Sequence, residues 1–430
     1  MPIIETPRKL DFKVLLTSYH QSKGKSLKPV NTRKSSTSVS SYATCPRCGA
    51  PSTYIYDNSG GRGQLLCKVC GKSFNLKNDA AKNIFLRCPH CSKRLEKVKE
   101  RFAYFIYKCK NNDCPLYVKN LNSMSKESKL LFSKSPGEFR VRYLYRQYRL
   151  TLAGLSKISK SVLGSRVDLS KIHFSKHILG LVLTYHINYG LSTRQTSSIL
   201  KDVHGVSISH QTVSNYAMAT AKIVRPFSDD FPYPLTDSLC ADETYVKVRG
   251  KKSYVFFFFD SVKKIIIAHD VFFKRDTISA IKSIFTALSK FKKIPESLSI
   301  VVDGNPIYVA AQHFFLQNNI SFKIHQVIGL MNKDEVSKEY RPLKQVIERL
   351  NRTLKRSYRP KNCFKTLAAA NSFLTLFAVF FNFLRPHSSL EKRVPVEIPE
   401  LKKLPHMPAR WLKIIEMSYD HIASLQSQAS

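Results

Sequence analysis

Eight of the ten cysteines fall between residues 45 and 114, in pairs: Cys45 and Cys48, Cys67 and Cys70, Cys88 and Cys91, Cys109 and Cys114. Eighteen residues separate the first two pairs and 17 the last two. A Cys-x-x-Cys step turns tightly enough to aim two sulfurs at one ion, and two such steps supply the tetrahedral set that zinc takes. Gly49 and Gly71 follow two of these knuckles and relax their turns. The opening MPIIETPRKLDFK carries no apolar export signal, so metal-bound thiolates are expected rather than disulfides. The expectation is two tandem zinc ribbons over 45–120, each holding one Zn2+. The second is less regular, because four residues lie inside its last pair; one zinc site with spare cysteines is the alternative. A DNA-reading role and a purely structural one remain open. Cys240 and Cys363 stand alone and are expected to pack.

Charge narrows the partner. Lys and Arg total 70 against 30 Asp and Glu, a formal net charge of +40. The bases run through the whole chain, which excludes an ordinary enzyme of small metabolites and predicts salt-sensitive binding to nucleic acid. The longest apolar run, FLTLFAVFFNFL at 373–384, falls short of the ~20 residues that span a bilayer. It reads as a buried helix, so no membrane partner is expected and the compartment is cytoplasm or nucleoid. Residues 1–44, Ser- and Lys-rich from 21 onward, read as a flexible basic lead-in.

Residues 121–225 read as helical. Within them, 174–222 has helix–turn–helix grammar: FSKHILGLVLTYHINYG, then STRQTSSILKDVHG with Ser192 and Gln195 spaced as a capping box. VSIS makes the turn, and HQTVSNYAMATAK, capped by Ser209, is the expected recognition helix. Ile199, Val206 and Val213 would fill the core. His210, Gln211, Ser214 and Asn215 would then meet a major groove. An ordinary helical hairpin is the plainer alternative.

From 236 to 398 the pattern is three strands followed by helix, strand, helix, strand and helix, an α/β class with a mixed sheet. Residues 399–430 read as a tail. Asp242 lies inside the first strand, and Asp303 closes the wholly apolar strand SLSIVVD. Ligands of open α/β sheets gather at carboxyl strand ends, although Asp303 could instead cap the helix that begins near Pro306.

The stretch VIERLNRTLKRSYR, 346–359, keeps one acid, Glu348, among five bases. Leu343, Ile347, Leu350 and Leu354 form an apolar stripe, and Glu348, Arg352, Lys355 and Arg359 recur at the same steps beside it. An intrahelical pair of Glu348 with Arg352 would be worth only a few tenths of a kcal/mol. A carboxylate completing a metal site with Asp242 and Asp303 gives it a stronger reason to be there.

ADETYVKVRGK, IVVDGNPIY, VIERLNRTLKRSYRPKNCFKTLAAA and NFLRPHSSL together resemble the DDE-type transposases of insertion sequences, in the retroviral-integrase-like group. The resemblance implies a ribonuclease H-like fold with Asp242, Asp303 and Glu348 as catalytic carboxylates. It implies two Mg2+ (or Mn2+) ions that activate water, or a DNA 3′-OH, for in-line displacement. Lys355 matches a base that the family places seven residues after the Glu, and Arg352 and Arg359 would join it on phosphates. Asn382, Arg385 and His387 match a closing motif and are read as supporting residues. The implied partners are double-stranded DNA, as element ends and target, and at least a second copy of the chain. One departure is spacing: 44 residues separate Asp303 from Glu348, against about 35 in the wider group. Glu339 sits at the shorter spacing but precedes Tyr-Arg-Pro and reads as lying before the helix. An inactive DNA-binding regulator and a nuclease without strand joining are the rival readings.

Overall fold

The computed structural model describes residues 1–5, 10–30, 39–61, 63–75, 85–152, 155, 167–328 and 334–429. The chain divides into two units, Met1–Arg149 and Leu150–Ser430.

The first unit contains β1 (Ile3–Glu5), α1 (Phe12–Lys23), β2 (Ile55–Asp57), β3 (Leu65–Cys67), β4 (Ser73–Phe74), β5 (Phe85–Arg87), β6 (Glu96–Glu100), β7 (Tyr104–Lys108), α2 (Pro115–Asn122), α3 (Lys126–Lys134) and β8 (Leu144–Tyr148). β2-β3-β4 form one three-stranded sheet and β6-β7-β8 another, while β1 pairs with β5. Each three-stranded sheet belongs with one cysteine group. Two expectations change. Part of the lead-in is ordered: Asp11 caps α1, Gly24 closes it in the left-handed region, and Leu10, Phe12 and Leu15 pack on the first cysteine core. The helical reading of 121–170 also fails at β8, because Tyr143 and Tyr145 pack on the second cysteine core and draw the chain into a strand. Within that stretch, 153–154 and 156–166 lie outside the described residues, as do 6–9 and 31–38 of the lead-in.

The second unit opens with α4 (Lys176–Leu183), which runs into a π-helical turn over Thr184–Asn188, then α5 (Thr193–His204) and α6 (His210–Asp230). The capping box forms on both sides: Ser192 Oγ accepts from Gln195 N and Gln195 Oε1 accepts from Ser192 N. Leu200, Ile208 and Val213 are buried here, with Val206 partly buried. Leu200 therefore takes the inward position expected of Ile199, one residue or 100° around the helix.

The sheet follows: β9 (Ser238–Val248), β10 (Lys251–Asp260), β11 (Ile265–Phe272), α7 (Thr277–Leu288), β12 (Ser299–Asp303), α8 (Pro306–Gln317), β13 (Lys323–Val327), α9 (Glu335–Tyr358) and α10 (Leu367–Val379). Strand order is β11-β10-β9-β12-β13. β9, β10 and β11 are antiparallel, while β12 runs parallel to both β9 and β13. This is the ribonuclease H-like sheet. β10 shows why it is central. Phe256 and Phe258 enter a core shared with α7 and α8, whereas Val255, Phe257 and Phe259 enter a second core shared with α9 and α10. Alternation sends successive residues to opposite faces, so an unbroken apolar run means that both faces are covered. The apolar run at 373–384 is the core helix α10 and a π-helical turn, Phe380–Leu384, as expected.

The C-terminal stretch read as a tail contains two helices, α11 (Pro399–Lys402) and α12 (Met407–Ala429). α12 packs on α4 and α6, with Trp411 fully buried and its indole N–H donating to Asn188 Oδ1 at 3.0 Å. Sequence periodicity is weak there, and tertiary packing sets the helix.

Candidate functional site

β9 and β12 run parallel with Val301 opposite Cys240. Continuing that register by two residues sets Asp303 beside Asp242. Ligand oxygens of Asp242, Asp303 and the neighbouring Glu243 all lie within 4.8 Å of one another. Asp242 shares the face of Cys240, whose thiol donates to the Leu343 carbonyl on α9 at 3.2 Å. Glu243, one residue on, turns toward the opposite layer. There Asn305 Nδ2 donates to its Oε1 at 3.3 Å.

Arg275, in the loop between β11 and α7, ties this second layer to the strand end. Its Nη2 donates to Glu243 Oε2 at 2.9 Å and to Asp303 Oδ2 at 3.1 Å. The Glu243 side chain is only 1% exposed, so this guanidinium is its charge partner. Asp303 Oδ1 accepts from Asn305 N. The cap of α8 is Asn305, whose Oδ1 accepts from Ile307 N, with Pro306 in the first turn. The capping alternative for Asp303 is thereby filled by another residue. Burial, with the charges of Asp303 and Glu243, pushes the Asp242 carboxyl up to about 6, against the pull of Lys344. Burial and the same carboxylates raise the Tyr308 phenol well above its ordinary value.

α9 lies across this end of the sheet. Its apolar stripe is buried as expected at Ile347, Leu350 and Leu354, with Leu343 partly buried. Lys344, Glu348 and Asn351 follow i, i+4, i+7 spacing and share one side of the helix. Two of the three bear on Asp242: Lys344 through its charge, and Asn351 through an Nδ2 hydrogen bond to Asp242 Oδ2 at 2.9 Å. Glu348 is exposed, stands between them on that side, and lies outside the group of three carboxylates. Glu339 is nine residues earlier, or about 180° around at 3.6 residues per turn. Its expected position before the helix is corrected: α9 starts at Glu335, capped by Asp334, and runs through Pro342. The early turns are held by packing that overrides the proline, with Tyr340 stacked on His325 at 4.0 Å and Ser337 buried.

The donor set suits a hard divalent cation, being carboxylate oxygens with one amide oxygen nearby. Asn351 Oδ1 is buried without a hydrogen-bond partner, beside the carboxylate its own amide nitrogen holds. Three carboxylates offset by Arg275 and by the Lys344 charge leave room for further positive charge.

The other expected residues fall as follows. Arg352, Lys355 and Arg359 are exposed on α9 and its following turn, with Lys355 Nζ 5.9 Å from the Tyr245 ring. His210 and Gln211 are exposed at the start of α6, and Ser214 and Asn215 are half-buried, with Gln211 donating to Asn215. Asn382 is away from the carboxylates. It accepts from Ile266 N and donates to Ile266 O, both at 2.9 Å, finishing the edge of β11. Arg385 lies over Phe381, and His387 Nε2 is 3.3 Å from the Phe381 carbonyl. Glu243, Arg275, Asn305 and Asn351 were not anticipated.

In the first unit the sulfurs form two groups of four, Cys45, Cys48, Cys67 and Cys70, then Cys88, Cys91, Cys109 and Cys114. Cross-pair Sγ–Sγ distances of 3.6, 3.7, 3.9 and 3.6 Å match the edge of a tetrahedron with ~2.3 Å metal–sulfur bonds, about 3.8 Å. A disulfide would need ~2.0 Å. Burial raises the Cys48, Cys88 and Cys109 thiols, a cost that a bound cation offsets.

Sheet, carboxylates and crossing helix together form a site whose donors suit a divalent cation. Residues 236–387 match the DDE domain family, so this part of the chain is similar to such domains. Over 83 residues the chain is 31% identical to the transposase for insertion sequence-like element IS431mec of Staphylococcus aureus, covering 19% of this chain and 37% of that protein. The transposase for insertion sequence element IS257 in transposon Tn4003, also from Staphylococcus aureus, matches to the same extent. The chain thus spans little more than a third of the length of these curated relatives. Among solved structures, the HTLV-2 integrase catalytic core domain in complex with magnesium aligns at 15% identity and a TM-score of 0.25, over 38% of this chain and 96% of that one. The Mos1 strand transfer complex aligns at 9% and 0.19, over 72% and 98%.

Proposed function

We propose that the protein is a DNA transposase that binds the ends of its element, cuts them by metal-dependent hydrolysis and joins the freed 3′-OH ends to target DNA. The observation that carries this reading is the meeting of Asp303, which closes β12, with Asp242 inside the parallel strand β9, under a helix whose Asn351 holds Asp242 and whose Lys344 charge acts on it.

Asp242, Asp303 and Glu348 would hold the divalent ions, expected to be two Mg2+. Such ions, when bound, activate water or a 3′-OH and stabilise the leaving oxygen. Asn351 fixes the Asp242 carboxylate by a hydrogen bond, and Arg275 fixes Asp303 against the buried Glu243. Arg352, Lys355 and Arg359 offer an exposed basic edge for phosphates. α5 and α6 would act as a helix–turn–helix, with His210, Gln211, Ser214 and Asn215 toward the groove. Zinc in the two sulfur groups would hold the first unit together. Two ends must be joined together, so a dimer or larger assembly on DNA follows.

The test is incubation of purified protein with labelled DNA flanking its own gene and a plasmid target, in Mg2+. Wild type is expected to yield nicked ends and joined products, and Asp242→Asn to lose both by at least about a hundredfold, as removal of a transition-state charge stabiliser does. Binding without cutting in wild type would favour a regulator. Cutting without joining would favour a plain nuclease.

A further inference from the structure

The sheet β6-β7-β8 has two unlike faces. On one, Tyr107 and Tyr145 pack on the second sulfur group. The other is set by register. Tyr104 is opposite Tyr148, Ile106 opposite Arg146 and Lys108 opposite Leu144, while Lys99 of β6 is opposite Ile106. Tyr104, Ile106, Tyr148 and Leu144 therefore share a face with Lys99, Lys108 and Arg146. The Tyr104 and Tyr148 rings meet edge to face at 6.2 Å, and the Arg146 guanidinium lies 5.4 Å from the Tyr104 ring. Leu144 is 44% exposed. The one acid the register assigns to this face, Glu96, is at its far end and paired with Lys110 at 2.8 Å. At the β6–β7 hairpin tip, Phe102 is 100% exposed beside the exposed Arg101.

A fully exposed Phe gains nothing from folding, and rings interleaved with cations are the combination that takes up both parts of a nucleotide. Width separates the two forms of DNA. A major groove about 12 Å across admits a helix or a two-stranded ribbon. Three strands span about 10 Å between their outer axes before side chains are added, so this face is too broad to enter. An unpaired strand has no such limit: its bases can lie flat on rings while Lys and Arg meet its phosphates.

We infer that the outer face of β6-β7-β8, with Phe102 at its tip, is a binding site for single-stranded DNA that stacks unpaired bases on Phe102, Tyr104 and Tyr148. The site is independent of the carboxylate cluster and does not depend on the catalytic reading.

The test uses the full chain and fluorescence anisotropy with labelled oligo-dT, and with a duplex of equal length. Phe102→Ala with Tyr104→Ala should weaken oligo-dT binding at least about tenfold, in line with one or two lost stacking contacts, and change duplex binding less than about twofold. Phe102→Ser alone touches no core and should weaken oligo-dT binding in the same direction, which covers the case where the double variant misfolds. Iodouracil in the oligonucleotide should cross-link to the hairpin tip or to β8 in wild type. Equal losses for both DNAs would reduce the face to general electrostatics and overturn the inference. So would unchanged oligo-dT binding in a folded double variant. Absence of end cutting, with the selective loss still seen, would defeat the transposase reading and leave this site standing.

Discussion

At the scale of single residues, periodicity reveals some positions and register hides others. The pairing of Asp242 with Asp303 was legible because each interrupts or ends an apolar strand, whereas Glu348, which breaks a basic stripe, lies outside the carboxylate group. Glu243 and Arg275 were not legible, since their contact joins positions 32 residues apart through a loop. Asn351 reaches Asp242 across 109 residues, and nothing local marks it. Asn382 was legible as a supporting residue only through a motif; its work is to hydrogen-bond both backbone groups of Ile266. Asn382→Ala strands a buried N–H and a buried C=O, each costing about 1–3 kcal/mol. Urea unfolding should show that loss in the second unit. A change under about 0.5 kcal/mol, the size of an ordinary surface substitution, would mean the edge of β11 is held by something else.

At the scale of elements, α6 is longer than its sequence suggested, and its C-terminal half is tied to the sheet by buried charge. Arg225 Nε donates to Asp229 at 3.1 Å, Lys290 Nζ reaches Asp229 Oδ1 at 2.9 Å, and Asp270 of β11 lies 3.9 Å from Arg225. His269, beside Asp270, is 3.3 Å from Thr375 of α10. The pattern of apolar residues carried no trace of this network, because ionic pairs have no period. Burial, aided by Arg225, pushes the His269 imidazole down to about 3. His186 is likewise held down at about 3 and His387 at about 4, chiefly by burial. A histidine with a depressed folded-state value contributes stability that is full above ~6.5 and is lost as pH falls toward the folded value. Each contributes a slope of up to about 1.4 kcal/mol per pH unit in that window. Asp242, pushed up to about 6 by burial, acts in the opposite sense, so the informative quantity is a difference between proteins. Urea midpoints at pH 7 and pH 5 should fall less for His269→Asn than for wild type. Equal falls would show that His269 is not buried as the neutral base.

At the scale of the whole chain, charge and layers agree. A formal +40 calls for a polyanion, and the second unit offers a ribonuclease H-like sheet with clustered carboxylates on β9 and at the end of β12, and exposed bases on the helix above. The mixed sheet was legible because strand runs and helical stripes alternate cleanly from 236 onward. The helical C-terminus and the strand at 144–148 were not, because each is fixed by what it packs against: Trp411 beside Asn188, and Tyr145 on the sulfur core.

One glutamate of α9, Glu348 or Glu339, is expected to serve the carboxylate pair. The same assay of end cutting and joining decides it with two variants, Glu348→Gln and Glu339→Gln, each checked for unchanged duplex binding. Loss of both products by at least about a hundredfold in Glu348→Gln, with Glu339→Gln near wild type, is the predicted result. Near-normal products from Glu348→Gln, with loss in Glu339→Gln, would contradict it and turn the working face of α9 half a revolution away from Asp242.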